Sequence, residues 1–210
     1  MRSTFERSAR EQGFQLIAGA DEAGRGSLFG PVYAAAVILD PERPIRGLRD
    51  SKQLAPQRRE ILAGRIRERA VAWAVAVAEA DEIDRVNIYQ ASRIAMERAI
   101  TRLSPAPDYL LLDAMKVQLP LPQEGIIRGD ALCPTIAAAS ILAKVDRDAC
   151  MRRWDEVYPQ YGFARHKGYP TPDHLHALER YGPTPHHRMS YAPVRQQSLF
   201  AGMMEGGACQ

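Results

Sequence analysis

The chain has 210 residues, 46% of them apolar and 25% charged, with a formal net charge of +3 and a sequence pI of about 8.8. This is an ordinary soluble globular balance, enough for one domain with a sizeable core, and its mild basicity alone says little about partners. Cys133, Cys150 and Cys209 form neither a CxxC pair nor a His-linked zinc spacing, Met1 to Gly13 is too polar for a signal peptide, and the apolar run Ala70 to Ala78 is too short to span a bilayer, so reduced thiols and a cytoplasmic location are expected.

In chain order, Gln15 to Ala20 reads as a short buried strand running into Asp21, and Val32 to Leu39 as a second. From Arg43 to Arg69 nine Lys and Arg face only Asp50, Glu60 and Glu68, a local net of +6. A solvated helix face explains such a run, and a nucleic-acid surface becomes the better explanation only beside a catalytic site. Pro56 to Arg69 has helical character, with Ile61, Leu62 and Ile66 assigned to one apolar face. Val71 to Ala80 alternates Val and Ala and fits a third strand, with helix as the alternative.

Asn87 to Leu103 carries Ile88, Ala91, Ala95, Ala99 and Leu103 at helical spacing, and Pro105 and Pro107 end it. Tyr109 to Leu112 is a short strand leading into Asp113. A proline-rich, hairpin-like turn at Pro120 and Pro122 leads to a strand over Gly125 to Arg128, followed by Gly129 and Asp130. Pro134 opens a long helix reaching about Tyr158, a place in the first turn that suits proline. Pro170 to Tyr181 is a short helix, and the segment from Gly182 onward is rich in Pro and His. Strands interleaved with helices predict an α/β or mixed-sheet domain over residues 1–195, with a flexible tail over 196–210.

Asp21, Glu22, Asp113 and Asp130 fall at or just beyond predicted strand ends. A carboxylate inside a sheet is costly to desolvate, but several can converge at an open strand end. Such a cluster repels itself unless a cation neutralises it. All-oxygen ligands without Cys or His suit Mg²⁺ or Mn²⁺, and two such ions can clamp the attacking and leaving oxygens of a phosphodiester. Asp21 to Val32 reads DEAGRGSLFGPV. Glycines at 24, 26 and 30 allow close backbone approach to a ligand, yet the pattern is neither a P-loop nor a dinucleotide fingerprint. A plain tight turn would use the same glycines.

DEAGRGSLFGPV closely resembles the signature of the ribonuclease HII family. The resemblance continues in order through DSKQL (50–54), LLLDAMK (110–116), Gly129-Asp130, IAAASILAKVDRD (136–148), YGFARHKGYPTPDH (161–174) and HRMSYAPV (187–194). It implies a ribonuclease-H-like fold, a mixed five-stranded sheet flanked by helices with a small helical C-terminal part. It also implies that Asp21, Glu22, Asp113 and Asp130 are the catalytic, metal-binding acids, holding two divalent ions, Mg²⁺ or Mn²⁺. Asp146 and Asp148 rival Asp130 but fall on a helix. By the same resemblance, Gly24, Arg25 and Gly26 would read a ribose 2′-hydroxyl, and Tyr169 would stack on a sugar at the DNA side of an RNA–DNA junction.

The activity so implied is hydrolysis of the RNA strand of RNA/DNA hybrids and cutting 5′ of single ribonucleotides in duplex DNA, giving 5′-phosphate and 3′-hydroxyl ends. One ion would activate a water and the other stabilise the departing 3′ oxygen. Lys52, Ser140 and Lys144 are expected phosphate contacts, with Arg165, His166 and Lys167 left open. His174, His176, His186 and His187 are read as structural or solvated, and Trp73 and Trp154 as core or helix-packing residues. Gln196-Gln197-Ser198-Leu199-Phe200 is similar to peptides that dock into bacterial sliding clamps, although Leu199 and Phe200 could instead fold back on the domain. A monomer is expected. Two rivals remain: another nuclease of the same fold, indifferent to the 2′-hydroxyl, and a non-enzymatic hybrid-binding adaptor.

Overall fold

The structure, a computed structural model, describes residues 4–196. Its elements are α1 (Thr4–Glu11), β1 (Ile17–Ala23), β2 (Val32–Ile38), a 3₁₀ turn (Ser51–Gln53), α2 (Pro56–Arg69), β3 (Ala72–Ala78), α3 (Ala80–Val86), α4 (Ile88–Thr101), β4 (Tyr109–Asp113), β5 (Gln123–Ile126), α5 (Gly129–Leu132), α6 (Pro134–Val157), a 3₁₀ turn (Pro159–Tyr161), α7 (Phe163–His166) and α8 (Pro172–Tyr181). They group into two compact units. Among the described residues the first is 4–23, 33–77 and 92–146, and the second 24–32, 78–91 and 147–196.

The first unit holds the sheet, in strand order β3-β2-β1-β4-β5. β1 runs antiparallel to β2 and parallel to β4, and β4 is parallel to β5, so the sheet is mixed and five-stranded as expected. β2 reads VYAAAVI and is buried almost throughout, the mark of a strand covered on both faces. Ala35 and Val37 pack with Leu62, Ala63 and Ile66 of α2 and with Ala138, Ile141 and Leu142 of α6. A second cluster joins Ala9 of α1 to Ile17, Leu111, Ile126, Cys133 and Ile136. Gly19 makes the approach of α6 to β1 possible. A Cβ there would stand 2.5 Å from the Ile136 nitrogen and 2.6 Å from the Thr135 oxygen, closer than packed atoms tolerate.

The second unit is built on aromatic and imidazole rings. Phe29 stacks on Phe163 with centroids 3.8 Å apart and meets Trp154 edge-on at 5.7 Å, while Tyr161 stacks on Phe163 at 5.2 Å. Phe29 also forms an isolated antiparallel bridge with His187. Asp84, just past the middle of α3, accepts the backbone N–H groups of Met189 and Ser190 at 2.9 Å each and ties down that segment.

Several expectations need correction. β5 is parallel to β4, so the proline-rich segment 114–122 is a crossover rather than a hairpin. β5 ends at Ile126, and Asp130 lies on α5 instead of at a strand end. Ile61 is 50% exposed while Leu62 and Ile66 are fully buried, so the apolar face of α2 excludes it. Trp73 is 39% exposed and lies under the Arg67 guanidinium of α2 at 5.3 Å, so of the two expected roles it packs against a helix and not in the core. Trp154 does pack among rings, beside Tyr158 and His186. Helices α1 and α3 were not anticipated. Cys133 and Cys150 are buried, whereas Cys209 and Gln197 to Phe200 of the clamp-like segment lie outside the described residues. Among the described residues no helix is long and apolar enough to cross a membrane.

Candidate active site

In the first unit the β1/β4 ladder stops at the pair Ala20 and Leu112. Asp21 and Asp113 are the next residue on each strand, so continuing that register sets the two carboxylates side by side. β1 itself goes on against β2, pairing Asp21 with Ala35 and Glu22 with Ala34. Both acids therefore lie inside β1, beyond the end of its β4 ladder only. The peptide N–H of Glu22 donates to Asp21 Oδ1 at 2.7 Å.

Asp21 is 5% exposed and its carboxyl is held well above the usual carboxylate range. Burial is the largest cause, and the charges of Glu22 and Asp113 add to it. A hydrogen bond from Ser140 on α6 works the other way, favouring the charged form. Ser140 is itself buried and its hydroxyl lies 2.9 Å from that of Ser51. With the Ser140 proton given to Asp21, Ser51 is the donor of that second bond. Ser140 thus ties the Asp21 carboxyl to the turn that carries Ser51. Lys144, one turn along the same helix, is half-buried.

Asp113 ends β4 and accepts the Gly129 N–H at 2.7 Å. That close bond depends on glycine, because a Cβ at 129 would stand 2.6 Å from Ile136 Cδ1 and 3.3 Å from Asp113 Oδ1. The bond also ties β4 to α5, which carries Asp130. Asp130 is 7% exposed, and burial raises its pKa, with Asp113 and Asp50 adding to the effect. Lys52 answers it: its Nζ lies 3.8 Å from Asp130 Oδ2 while the side chain stays 81% exposed. Desolvation works against the ammonium, but Asp130, Asp21, Asp50 and Asp113 together hold its pKa above the ordinary value. The buried Arg59 of α2 fixes the turn bearing Lys52 by donating to the carbonyls of Ser51 at 3.1 Å and Leu54 at 2.6 Å.

The first unit therefore brings Asp21, Glu22, Asp113, Asp130, Lys52 and Ser140 into one electrostatic cluster. Of the rivals to Asp130, Asp146 is paired with Arg67, and Asp148 is buried on α6. Among the described residues no three His, Cys, Asp or Glu side chains form a closed metal-binding group. The donor chemistry nonetheless fits a hard divalent cation, since the cluster is all oxygen and carries charge that repels itself.

The second unit holds Gly24, Arg25, Gly26 and Tyr169. Gly24 has φ of 99°, in the region that favours glycine, and its missing Cβ leaves room for the buried Arg147 side chain. The Arg147 guanidinium lies 5.4 Å from the Tyr169 ring centre and donates to the Lys167 carbonyl at 3.0 Å. A Cβ on Gly26 would stand 3.7 Å from the Tyr169 ring, so loop and ring border one space.

Behind Tyr169 runs a chain of imidazoles. The Thr184 N–H donates to His187 Nδ1 at 2.9 Å, so the His187 proton is on Nε2 and faces His174 Nε2 at 3.2 Å. His174 then carries its proton on Nδ1 and donates to the Tyr169 carbonyl at 3.0 Å. Burial depresses both, His174 to about 4 with the neighbouring His166 adding to the effect, and His187 to about 3 with His174 adding to it. These two are structural, as read, and so is the buried His166, whose Nε2 lies 2.7 Å from the Tyr161 carbonyl. Arg165 pairs with Asp173 at 2.8 Å. No local motif announces the role of His174, which is set by the approach of α8 to the 184–187 segment.

The sequence model of the family described as Ribonuclease HII matches residues 18–194. A ribonuclease HII of Solibacter usitatus is 63% identical over 94% of this chain and 87% of its own length. Among solved structures, the ribonuclease H2 from Pyrococcus horikoshii OT3 aligns with a TM-score of 0.76 at 25% identity, covering 89% of this chain and 98% of that one. The ribonuclease HII in a PCNA complex from Archaeoglobus fulgidus aligns with a TM-score of 0.73 at 27% identity, covering 87% and 96%.

Proposed function

The chain belongs to the ribonuclease HII family, and we propose that this hydrolase cuts the RNA strand of RNA/DNA hybrids and cuts 5′ of single ribonucleotides in duplex DNA. The products would be 5′-phosphate and 3′-hydroxyl ends. The observation that carries this reading is the carboxylate cluster at the open end of the β1/β4 ladder, with Asp21 buried, oriented by Ser140 and flanked by Lys52. Buried acids that repel one another cost stability, and a protein gains by keeping them only if they serve chemistry.

In this reading Asp21, Glu22, Asp113 and Asp130 hold two divalent ions, Mg²⁺ or Mn²⁺. Bound there, such ions lower the pKa of a water and neutralise charge on the leaving oxygen. The residues of the chain do the positioning. Ser140 points Asp21, and the Gly129 N–H points Asp113. Lys52, anchored at one side by Asp130 and open to solvent at the other, binds a non-bridging phosphate oxygen. Lys144 adds a further cation for the strand, and affinity from such contacts falls with salt. The Gly24 to Gly26 loop reads the 2′-hydroxyl and Tyr169 stacks on the neighbouring deoxyribose.

The tail segment Gln196 to Phe200 docks on a sliding clamp in this reading, supported by the PCNA complex of the Archaeoglobus relative. The enzyme acts as a monomer in the cytoplasm. The test is cleavage of three duplexes, with one ribonucleotide, with a full RNA strand and with DNA only, each with Mg²⁺ and with chelator. Cutting of the first two, 5′ of the ribonucleotide and only with metal, is expected. Cutting of the all-DNA duplex, or cutting that chelator leaves intact, overturns the reading.

A further inference from the structure

The Arg25 carbonyl, in the middle of the glycine-rich loop, receives two donors from the segment 188–191. Arg188 Nη1 donates to it at 2.9 Å and the Tyr191 hydroxyl at 2.6 Å. The same Nη1 lies 3.1 Å from the Tyr191 oxygen, which locks the two donors together. Arg188 Nε donates to the Gly30 carbonyl at 2.9 Å, and its backbone N–H to the Leu28 carbonyl at 2.8 Å. One residue thus grips the loop at positions 25, 28 and 30, and a guanidinium is planar, so the spacing between its acceptors is set.

Arg188 is fully buried, and among the described residues the groups that act on it electrostatically are Tyr191, Arg147 and Tyr169, none of them a carboxylate. Burial lowers its pKa to about 10. A buried cation that faces only carbonyls, a hydroxyl and another guanidinium is a poor way to stabilise a fold. Its return is geometric. A carbonyl oxygen has two lone pairs, and at Arg25 both are filled. That oxygen cannot accept a sugar hydroxyl. The peptide joining Arg25 to Gly26 is planar and trans, so pinning its oxygen turns the Gly26 N–H the opposite way. Gly26 is exposed and borders the Tyr169 ring.

We propose that Arg188 and Tyr191 are positioning residues for ribose selection: by holding the Arg25 carbonyl they aim the Gly26 N–H at the 2′ oxygen of the ribonucleotide. The inference rests on the ribonucleotide-cutting reading above. Tyr191 also packs against the Leu28, Leu178 and Val194 cluster, so Tyr191→Phe keeps the ring in place and removes only the hydroxyl. Arg188→Lys keeps the cation and loses the planar fork.

The test is single-turnover cleavage, by wild type and each variant, of two duplexes that differ in one sugar, ribose or 2′-fluoro-2′-deoxyribose at the cut. The fluoro sugar cannot accept the Gly26 N–H well. For Tyr191→Phe the rate on the ribose duplex is expected to fall about tenfold, the order of one good hydrogen bond, with less than a twofold change on the fluoro duplex. Arg188→Lys moves the ratio the same way and further, with a lower melting temperature. An equal fall on both sugars would mark a merely structural role and overturn the proposal, as would no fall on either. A wild-type chain that leaves the ribose duplex uncut overturns the underlying reading instead, and is told apart because there is then no selectivity for the variants to change.

Discussion

Asp21 sits where the pairing of β1 with β4 ends, its carboxyl raised first by burial and then by Glu22 and Asp113. Ser140 opposes that rise with a single hydrogen bond. Ser140→Ala should therefore leave the fold intact while weakening the acid as a ligand. The expected result is a 10- to 100-fold loss in kcat/KM, the order of magnitude for a group that orients a metal ligand, with the half-saturating Mg²⁺ concentration raised. A wild-type metal titration with a reduced maximal rate would instead place Ser140 on the substrate. Asp21 and Asp113 were readable as acids near strand ends, while the grouping of all four acids as one catalytic set came from the family resemblance. Ser140 was singled out too, but its bonds were not legible: its four-residue spacing from Lys144 defines a helix face, while its partner Ser51 lies 89 positions away and nothing local announces it.

At the scale of elements, the cluster exists because α6 and α5 come close to the strands, and glycine allows both approaches. Gly19→Ala places a methyl 2.5–2.6 Å from backbone atoms of α6, which cannot move away like a side chain. A loss of about 1–3 kcal/mol is expected from such overpacking, read as a shifted urea midpoint with an unchanged slope. An unshifted midpoint would mean the α6 approach is looser than described. The long elements α2, α4 and α6 were readable because their periodicity or flanking prolines span many residues. α3 and α5 were not, being too short for a period to declare itself. The same brevity put Asp130 at a strand end in the sequence and on a helix in the structure. It still joins Asp113, because the Gly129 N–H, one residue before Asp130, bonds the Asp113 carboxylate.

At the scale of the molecule, stability should depend on pH through His174 and His187. Their folded pKa values, about 4 and about 3, lie below the ordinary 6.5, so the unfolded chain binds protons first as pH falls. The stability they contribute is complete above about pH 7 and is lost as pH falls from 6.5 towards 4 for His174 and towards 3 for His187, on the order of 2 kcal/mol per histidine by pH 5. Melting temperature should fall steeply between pH 7.5 and 5, and His187→Gln should flatten that slope. A slope the substitution leaves unchanged would mean the imidazole chain is already charged. Because that chain holds the Tyr169 carbonyl, acid lability should extend to sugar stacking.

If Asp21 and Asp113 make the cluster catalytic, cleavage of a duplex carrying one ribonucleotide by wild type, Asp21→Asn and Asp113→Asn, with duplex binding measured in parallel, shows it most directly. The expected result is that each substitution lowers the rate by at least about 10²–10³, the scale of losing one preorganised electrostatic group, while binding through Lys52 and Lys144 persists. Cleavage at the wild-type rate in either variant would contradict the assignment and move the chemistry to another site.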